Sequence, residues 1–321
     1  MKSSQSNSLN KQFRALLLAL LLSVTAPMPH APAFDHSKSP AGDVKKKIEE
    51  LARASGAEVV GVAFHDLATG GEVLINPDEN FHAASTMKVP VMMEIYREAA
   101  QGKFSLDDSI PVKNDFLSIA DGSHYSVSVE DDSEPSLYKK VGQTETIREL
   151  MRLMIVASSN LATNILIERV TAPRVMDLMR DMGANRIRVL RGVEDGKAYE
   201  RGMNNTTTAR DLMIILRRIA ERRAVSEKAS DEMVKVMLDQ QFNEGIPAGL
   251  PPAARVAHKT GSITKVNHDA AIIFLPNRKP YVLVVLTRGI QDEKRAHKLI
   301  ADISRAVYES AAGMQQSAGT N

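Results

Sequence analysis

The sequence predicts an α/β (α+β) fold: an antiparallel five-stranded sheet flanked by terminal helices, with an all-helical lobe inserted into it. Three observations predict it. β-rich runs lie toward both ends of the chain, the stretch between them is patterned as helices, and a helical pattern flanks the set on each side. In chain order, Val44, Ile48, Leu51 and Ala52 recur at helical spacing and predict a first helix from Asp43. Residues 59–65 and 72–75 are β-rich runs separated by Ala68-Thr69-Gly70-Gly71, which predicts a hairpin. From about 99 to 225 the pattern is mostly helical; Thr146-x-x-Glu149 is a capping box ahead of 150–156, and Thr208-x-x-Asp211 resembles one ahead of 212–219. Within this region residues 115–140, rich in Asp, Glu and Ser, predict a mobile surface loop. Strand character returns at 256–258, 270–275 and 281–286, the last two joined by Pro276-Asn277-Arg278-Lys279-Pro280. A closing helix over about 292–308 completes the set. The expected domain spans 43–315, with an α/β lobe from about 43–82 and 226–315 and a helical lobe from about 83–225. The cleft between the lobes is then the natural site.

Residues 1–33 read as an export signal: Lys2, Lys11 and Arg14 without an acid, an apolar core over 15–24, and Ala31-Pro32-Ala33 as a small-x-small cleavage site. That core is about ten residues, short of the roughly 20 that a spanning helix needs. The protein is therefore expected to be periplasmic or secreted, without stable membrane insertion, and residues 34–42 are expected to be a short polar linker. Removing those three cations from 41 basic residues leaves 38 against 39 acidic ones, so the mature chain offers no electrostatic case for nucleic acid. The absence of cysteine excludes disulfides, thiolate metal sites and a cysteine nucleophile. Histidines are scattered without H-x-H or H-E-x-x-H spacing, so neither a metal nor another cofactor is expected. A monomer acting on a small molecule fits these limits.

The chemistry is carried by an ordered set: Ser85-Thr86-Met87-Lys88, Ser158-Ser159-Asn160 and Lys259-Thr260-Gly261-Ser262. S-x-x-K also starts at Ser8, Ser136 and Ser262, but only Ser85 opens a long apolar run, over 89–96. On a helix, residues three apart share a face, so the Ser85 hydroxyl and Lys88 amine are expected within hydrogen-bonding reach, as a nucleophile and its base. A desolvated lysine near another cation, here Lys259, loses basicity and can take the serine proton. Ser158 is a candidate proton shuttle to the leaving group, and Asn160 a candidate holder of a substrate amide carbonyl. Lys259, Thr260 and Ser262 suit a substrate carboxylate. Gly261 permits close backbone approach, and the N–H groups of Ser85 and Ser262 are candidate oxyanion donors. His82 and His258 flank these motifs and read as packed or hydrogen-bonded residues; Met151, Met154, Met176, Met179 and Met182 read as core.

With those motifs in order, together with Thr146-Ile147-Arg148-Glu149-Leu150 and Asn205-Thr206-Thr207-Thr208-Ala209, the chain resembles the class A serine β-lactamases, and more closely a group of class A-like exported serine hydrolases. The resemblance implies the serine β-lactamase or penicillin-binding transpeptidase fold. It implies that a β-lactam acylates Ser85 and that a glutamate then activates the water that hydrolyses the ester. Glu194 falls near the place of that glutamate. Three departures stand out. The triplet has Ser159 where the family has aspartate; Ala198 stands where the family has a water-holding asparagine; and Asn267 lies in a strand that commonly supplies an arginine for the substrate carboxylate, with Lys265, Arg288 and Arg295 as candidate substitutes. The segment between Lys88 and Ser158 is also longer than usual, the excess lying around 121–140 and placed to overhang the cleft. The alternatives are a D-alanyl-D-alanine peptidase or esterase with the same acyl-serine chemistry, and a peptidoglycan-binding or β-lactam-sensing domain without turnover.

Overall fold

Five strands form one antiparallel sheet: β1 (Val59–Asp66), β2 (Glu72–Ile75), β3 (Arg255–Ile263), β4 (Val266–Phe274) and β5 (Tyr281–Arg288), in the spatial order β2-β1-β5-β4-β3. The computed structural model describes residues 40–318. The export segment and most of the linker expected over 34–42 lie outside them. Nine helices are described: α1 (Pro40–Ser55), α2 (Lys88–Ala100), α3 (Ile147–Val156), α4 (Asn160–Val170), α5 (Ala172–Asp181), α6 (Gly196–Glu200), α7 (Ala209–Ala220), α8 (Glu227–Leu238) and α9 (Glu293–Ala318). Helix α1 starts three residues earlier than expected; a proline suits a helix start because its missing N–H would have no helical partner there. Helix α9 runs well past the expected end at 308.

The sheet divides the interior into two cores because side chains alternate across it. In β5, Val282, Val284 and Leu286 face the helical lobe with Leu212, Ile215 and Leu216 of α7. Leu283 and Val285 face the other way, packing with Val44 and Ile48 of α1 and Leu299, Ile300 and Ile303 of α9. Each such fully buried aliphatic chain contributes about 1.5–3 kcal/mol relative to exposure, which is how a chain without disulfides holds together. Helix α2 is buried on all sides over residues 88–96, as a helix apolar around its circumference must be. Its neighbours α3 and α4 meet at a sharp corner, residues 157–159, where Ser158 adopts a left-handed backbone (φ 60°). Met151, Met154 and Met179 lie in this core, with Met182 partly buried against it.

Both N-cap threonines form as expected: the hydroxyl of Thr146 accepts from Glu149 N, and that of Thr208 from Asp211 N. Both boxes are only half made: Glu149 accepts from Arg152 while Thr146 N donates to Glu145. Asp211 turns away to accept from Arg186 N and Ile187 N. The segment expected to be mobile is instead pinned, because its short polar side chains find fixed partners. Ser118 Oγ and Ile119 N donate to Asp195, Ser128 N donates to Glu194, and Asp132 is buried against the start of α4.

Candidate active site

Ser85 sits in a 3₁₀ turn, Ala84–Met87, that leads directly into α2. Ala84 has φ 45°, a left-handed conformation costly for alanine, so its surroundings must hold it. Ala84 N donates to His82 Nδ1 at 3.0 Å, and His268 Nε2 donates to His82 O at 2.9 Å. His268 Nδ1 accepts from Thr287 N, which leaves the proton on Nε2, and burial pushes this imidazole down to about 4, so it is neutral near pH 7. Strand β3 approaches the turn from the other side. A Cβ on Gly261 would lie 3.0 Å from both Ser85 N and Thr86 N, so only glycine lets the strand come this close.

Lys88, one turn beyond Ser85, is fully buried. Its amine donates to Ser158 O at 2.6 Å, Asn160 Oδ1 at 3.0 Å and Ser158 Oγ at 3.2 Å. The direct bond from Ser85 to Lys88 expected from helical spacing is not made, because the α3–α4 corner supplies three acceptors for the amine. Among the described residues the Ser85 hydroxyl makes no hydrogen bond and is partly exposed to the cleft. Burial pulls Lys88 down to about 7, against the charges of Asp132 and Glu194, which favour its ammonium form. The equally buried Lys259 donates to Ser158 Oγ at 3.0 Å and to Thr260 O at 3.0 Å; burial and the charge of Lys88 hold it well below the usual lysine range. Ser158 Oγ therefore accepts from two amines and keeps its own proton to give. Asn160 lines both hollows at Ser85. It bridges, accepting from Lys88 and donating from Nδ2 to Glu194 Oε1 at 2.7 Å.

Glu194 precedes α6 in a left-handed conformation (φ 60°), and its other oxygen accepts from Ser128 N at 2.7 Å. The next residue, Asp195, N-caps α6 and accepts from Ser118 and Ile119, so the Glu194 loop and the inserted segment brace each other. Ala198 is fully buried and offers no side-chain hydrogen bond. His258, as expected, is a packed residue, bonded to Asp269 at 2.9 Å.

Two hollows meet at Ser85. One, lined by Ser158, Thr260 and Ser262, is flanked by the exposed acids Asp131, Glu244 and Glu293; the other holds Glu194, Arg191 and Tyr199. None of the three candidate substitutes for an arginine lines the first hollow. Arg288 is committed to Glu58, Glu79 and Asn80 O, and Arg295 to Ser55 O. Lys265 lies exposed in the β3–β4 turn. The Ser262 hydroxyl lies 3.0 Å from Asn267 Oδ1 and 3.1 Å from Glu293 Oε1, two acceptors competing for its one proton. The sequence reading missed Asp132, whose Oδ2 accepts from Asn160 N at 2.9 Å and Leu161 N at 2.8 Å, and the roles of Ser128 N and His82. A buried acid within an otherwise exposed polar segment carries no distinguishing pattern.

A sequence model of the beta-lactamase enzyme family matches residues 43–311. A beta-lactamase of Streptomyces albus G is 27% identical over 281 residues, covering 86% of this chain and 87% of its own length. Among solved structures, an ancestral class A beta-lactamase superposes with a TM-score of 0.73 at 28% identity, covering 83% of this chain and 99% of the other. A mutant of PBP-A, solved as an acyl-enzyme complex with penicillin-G, gives 0.72 at 25% identity and covers 84% of this chain and 97% of its own.

Proposed function

Since this chain belongs to the beta-lactamase enzyme family, we propose that it opens β-lactam rings through an ester on Ser85, with Lys88, Ser158 and Glu194 as its proton carriers. It is a serine β-lactamase of the class A type. The single observation that carries the assignment of roles is the shared hydroxyl of Ser158, held between two buried lysines beside an unbonded Ser85. With Lys88 brought down to about 7, its neutral amine is available near neutral pH. A neutral amine takes the proton of Ser85 as its oxygen attacks the lactam carbonyl, and the N–H groups of Ser85 and Ser262 receive the oxyanion. As the C–N bond breaks, Ser158 passes its proton to the leaving nitrogen and regains one from Lys88. The ring is now open and Ser85 carries an ester. Glu194 then takes a proton from water, the resulting hydroxide attacks the ester carbonyl, and the proton ends on the Ser85 oxygen as the product leaves. This order places the leaving group in the hollow lined by Ser158 and Thr260, and the acyl group beside Glu194.

Residues 1–33 are proposed to direct export and to be removed; among the described residues no helix is long and apolar enough to cross a membrane. A second reading, slow release as in a D-alanyl-D-alanine peptidase, is favoured by one feature: Ala198 supplies no side-chain amide at its position to help hold the water. Turnover of a chromogenic cephalosporin tests the first reading. Ser85→Ala is expected to lower kcat/KM by roughly 10³-fold or more; equal turnover by both proteins would refute it.

A further inference from the structure

We propose that Asp132, in the inserted segment, is a positioning residue for acylation: its carboxylate fixes the main-chain N–H groups of Asn160 and Leu161 and the hydroxyl of Ser159 so that Ser158 and Asn160 present their oxygens to the Lys88 amine. The inference rests on the acyl-serine reading above. Asp132 is only 7% exposed although it lies between the exposed Asp131 and Ser133. Its Oδ2 accepts from Asn160 N at 2.9 Å, Leu161 N at 2.8 Å and Ser159 Oγ at 3.1 Å, and the Tyr138 hydroxyl stands 3.1 Å away. Its Oδ1 accepts from Glu134 N, closing the loop locally.

Ser159 caps only part of the helix end: its Oγ accepts from Ala162 N at 3.2 Å, and Asp132 takes the two preceding N–H groups, those of Asn160 and Leu161. An acid brought from 27 residues earlier in the chain to this helix end adds two things that the serine does not. It locks the peptide that carries Asn160, whose side chain joins Lys88 to Glu194. It also sets a negative charge where it favours the ammonium form of Lys88. The other charged groups facing Lys88 are Glu194, which acts in the same direction, and Lys259, which repels it and is in turn balanced by Asp269.

The test is rapid-mixing acylation by benzylpenicillin from about pH 5 to about pH 9, with melting temperatures measured on the same proteins. Asp132→Asn is expected to fold, to acylate about tenfold more slowly on the plateau, and to move the acid limb of the rate profile down by about half a pH unit, since removing the negative charge makes Lys88 less basic. Asp132→Glu, which keeps the charge but displaces it, is expected to retain the wild-type limb and lose rate, and it decides the matter should the asparagine variant not fold. Equal plateau and limb in wild type and Asp132→Asn, or an Asp132→Glu protein as fast as wild type, would overturn the role of Asp132 alone. A wild type that takes up no penicillin label would overturn the acyl-serine reading and the positioning role with it.

Discussion

Lys88 is an amine placed where an ammonium is poorly tolerated, yet given three acceptors that an ammonium satisfies. Desolvation wins in part, bringing it down to about 7 while the charges of Asp132 and Glu194 oppose. The consequence is a base that is present in quantity at neutral pH without being fixed in one state. Since only the neutral amine accepts the proton of Ser85, the rate of acylation is expected to be flat above about pH 7 and to fall about tenfold per unit below it. A rate that stays level from about pH 8 down to about pH 6 would take the first proton away from Lys88. At this scale the sequence was informative where chemistry is local. Ser85, Lys88 and Lys259 could be named because their motifs occur in a fixed order, and lysine beside lysine implied a weakened base. The partners of Lys88 could not be named, since the oxygens of Ser158 and Asn160 arrive from residues 70 and 72 positions away along the chain.

Elements place these groups more than the motifs do. The 3₁₀ turn Ala84–Met87 is clamped between His82 and β3, and Gly261 sets the distance of that clamp. Gly261→Ala would put a methyl group against the backbone nitrogens of Ser85 and Thr86, which cannot yield as the end of a flexible side chain can. The expected result is a protein destabilised by about 1–3 kcal/mol, with acylation slowed about tenfold or more because the nucleophile and its oxyanion donors shift together. Thermal melts and rapid-mixing acylation check it; wild-type values in both would show that the strand and the turn are not tightly coupled. The sheet and both terminal helices were legible because the β-rich runs and the helical spacing are local signals. The inserted segment was not. Its composition is that of a solvated loop, and what orders it is a few contacts with distant residues: Ser118 with Asp195, Ser128 with Glu194 and Asp132 with α4. Such contacts leave no periodicity to read.

On the scale of the molecule, a sheet built from both ends of the chain brings β3 against the turn that leads into α2 and the corner that leads into α4, so three motifs far apart in sequence line one cleft around Ser85. Its leaving-group side is flanked by Asp131, Glu244 and Glu293 and lacks the arginine that would offset them, an arrangement that disfavours a substrate carboxylate there. In the proposed mechanism affinity for penicillins rests on the Ser85 reaction itself and on Thr260 and Ser262, while release rests on Glu194 without help from position 198. The central claim, a transient ester on Ser85, is tested most directly by time-resolved mass spectrometry of the protein mixed with benzylpenicillin. The account predicts an added mass of one intact penicillin, located on the peptide containing Ser85, that rises within the first turnover and disappears as substrate is exhausted. Hydrolysis without any such adduct, or an adduct carried by another residue, would contradict it.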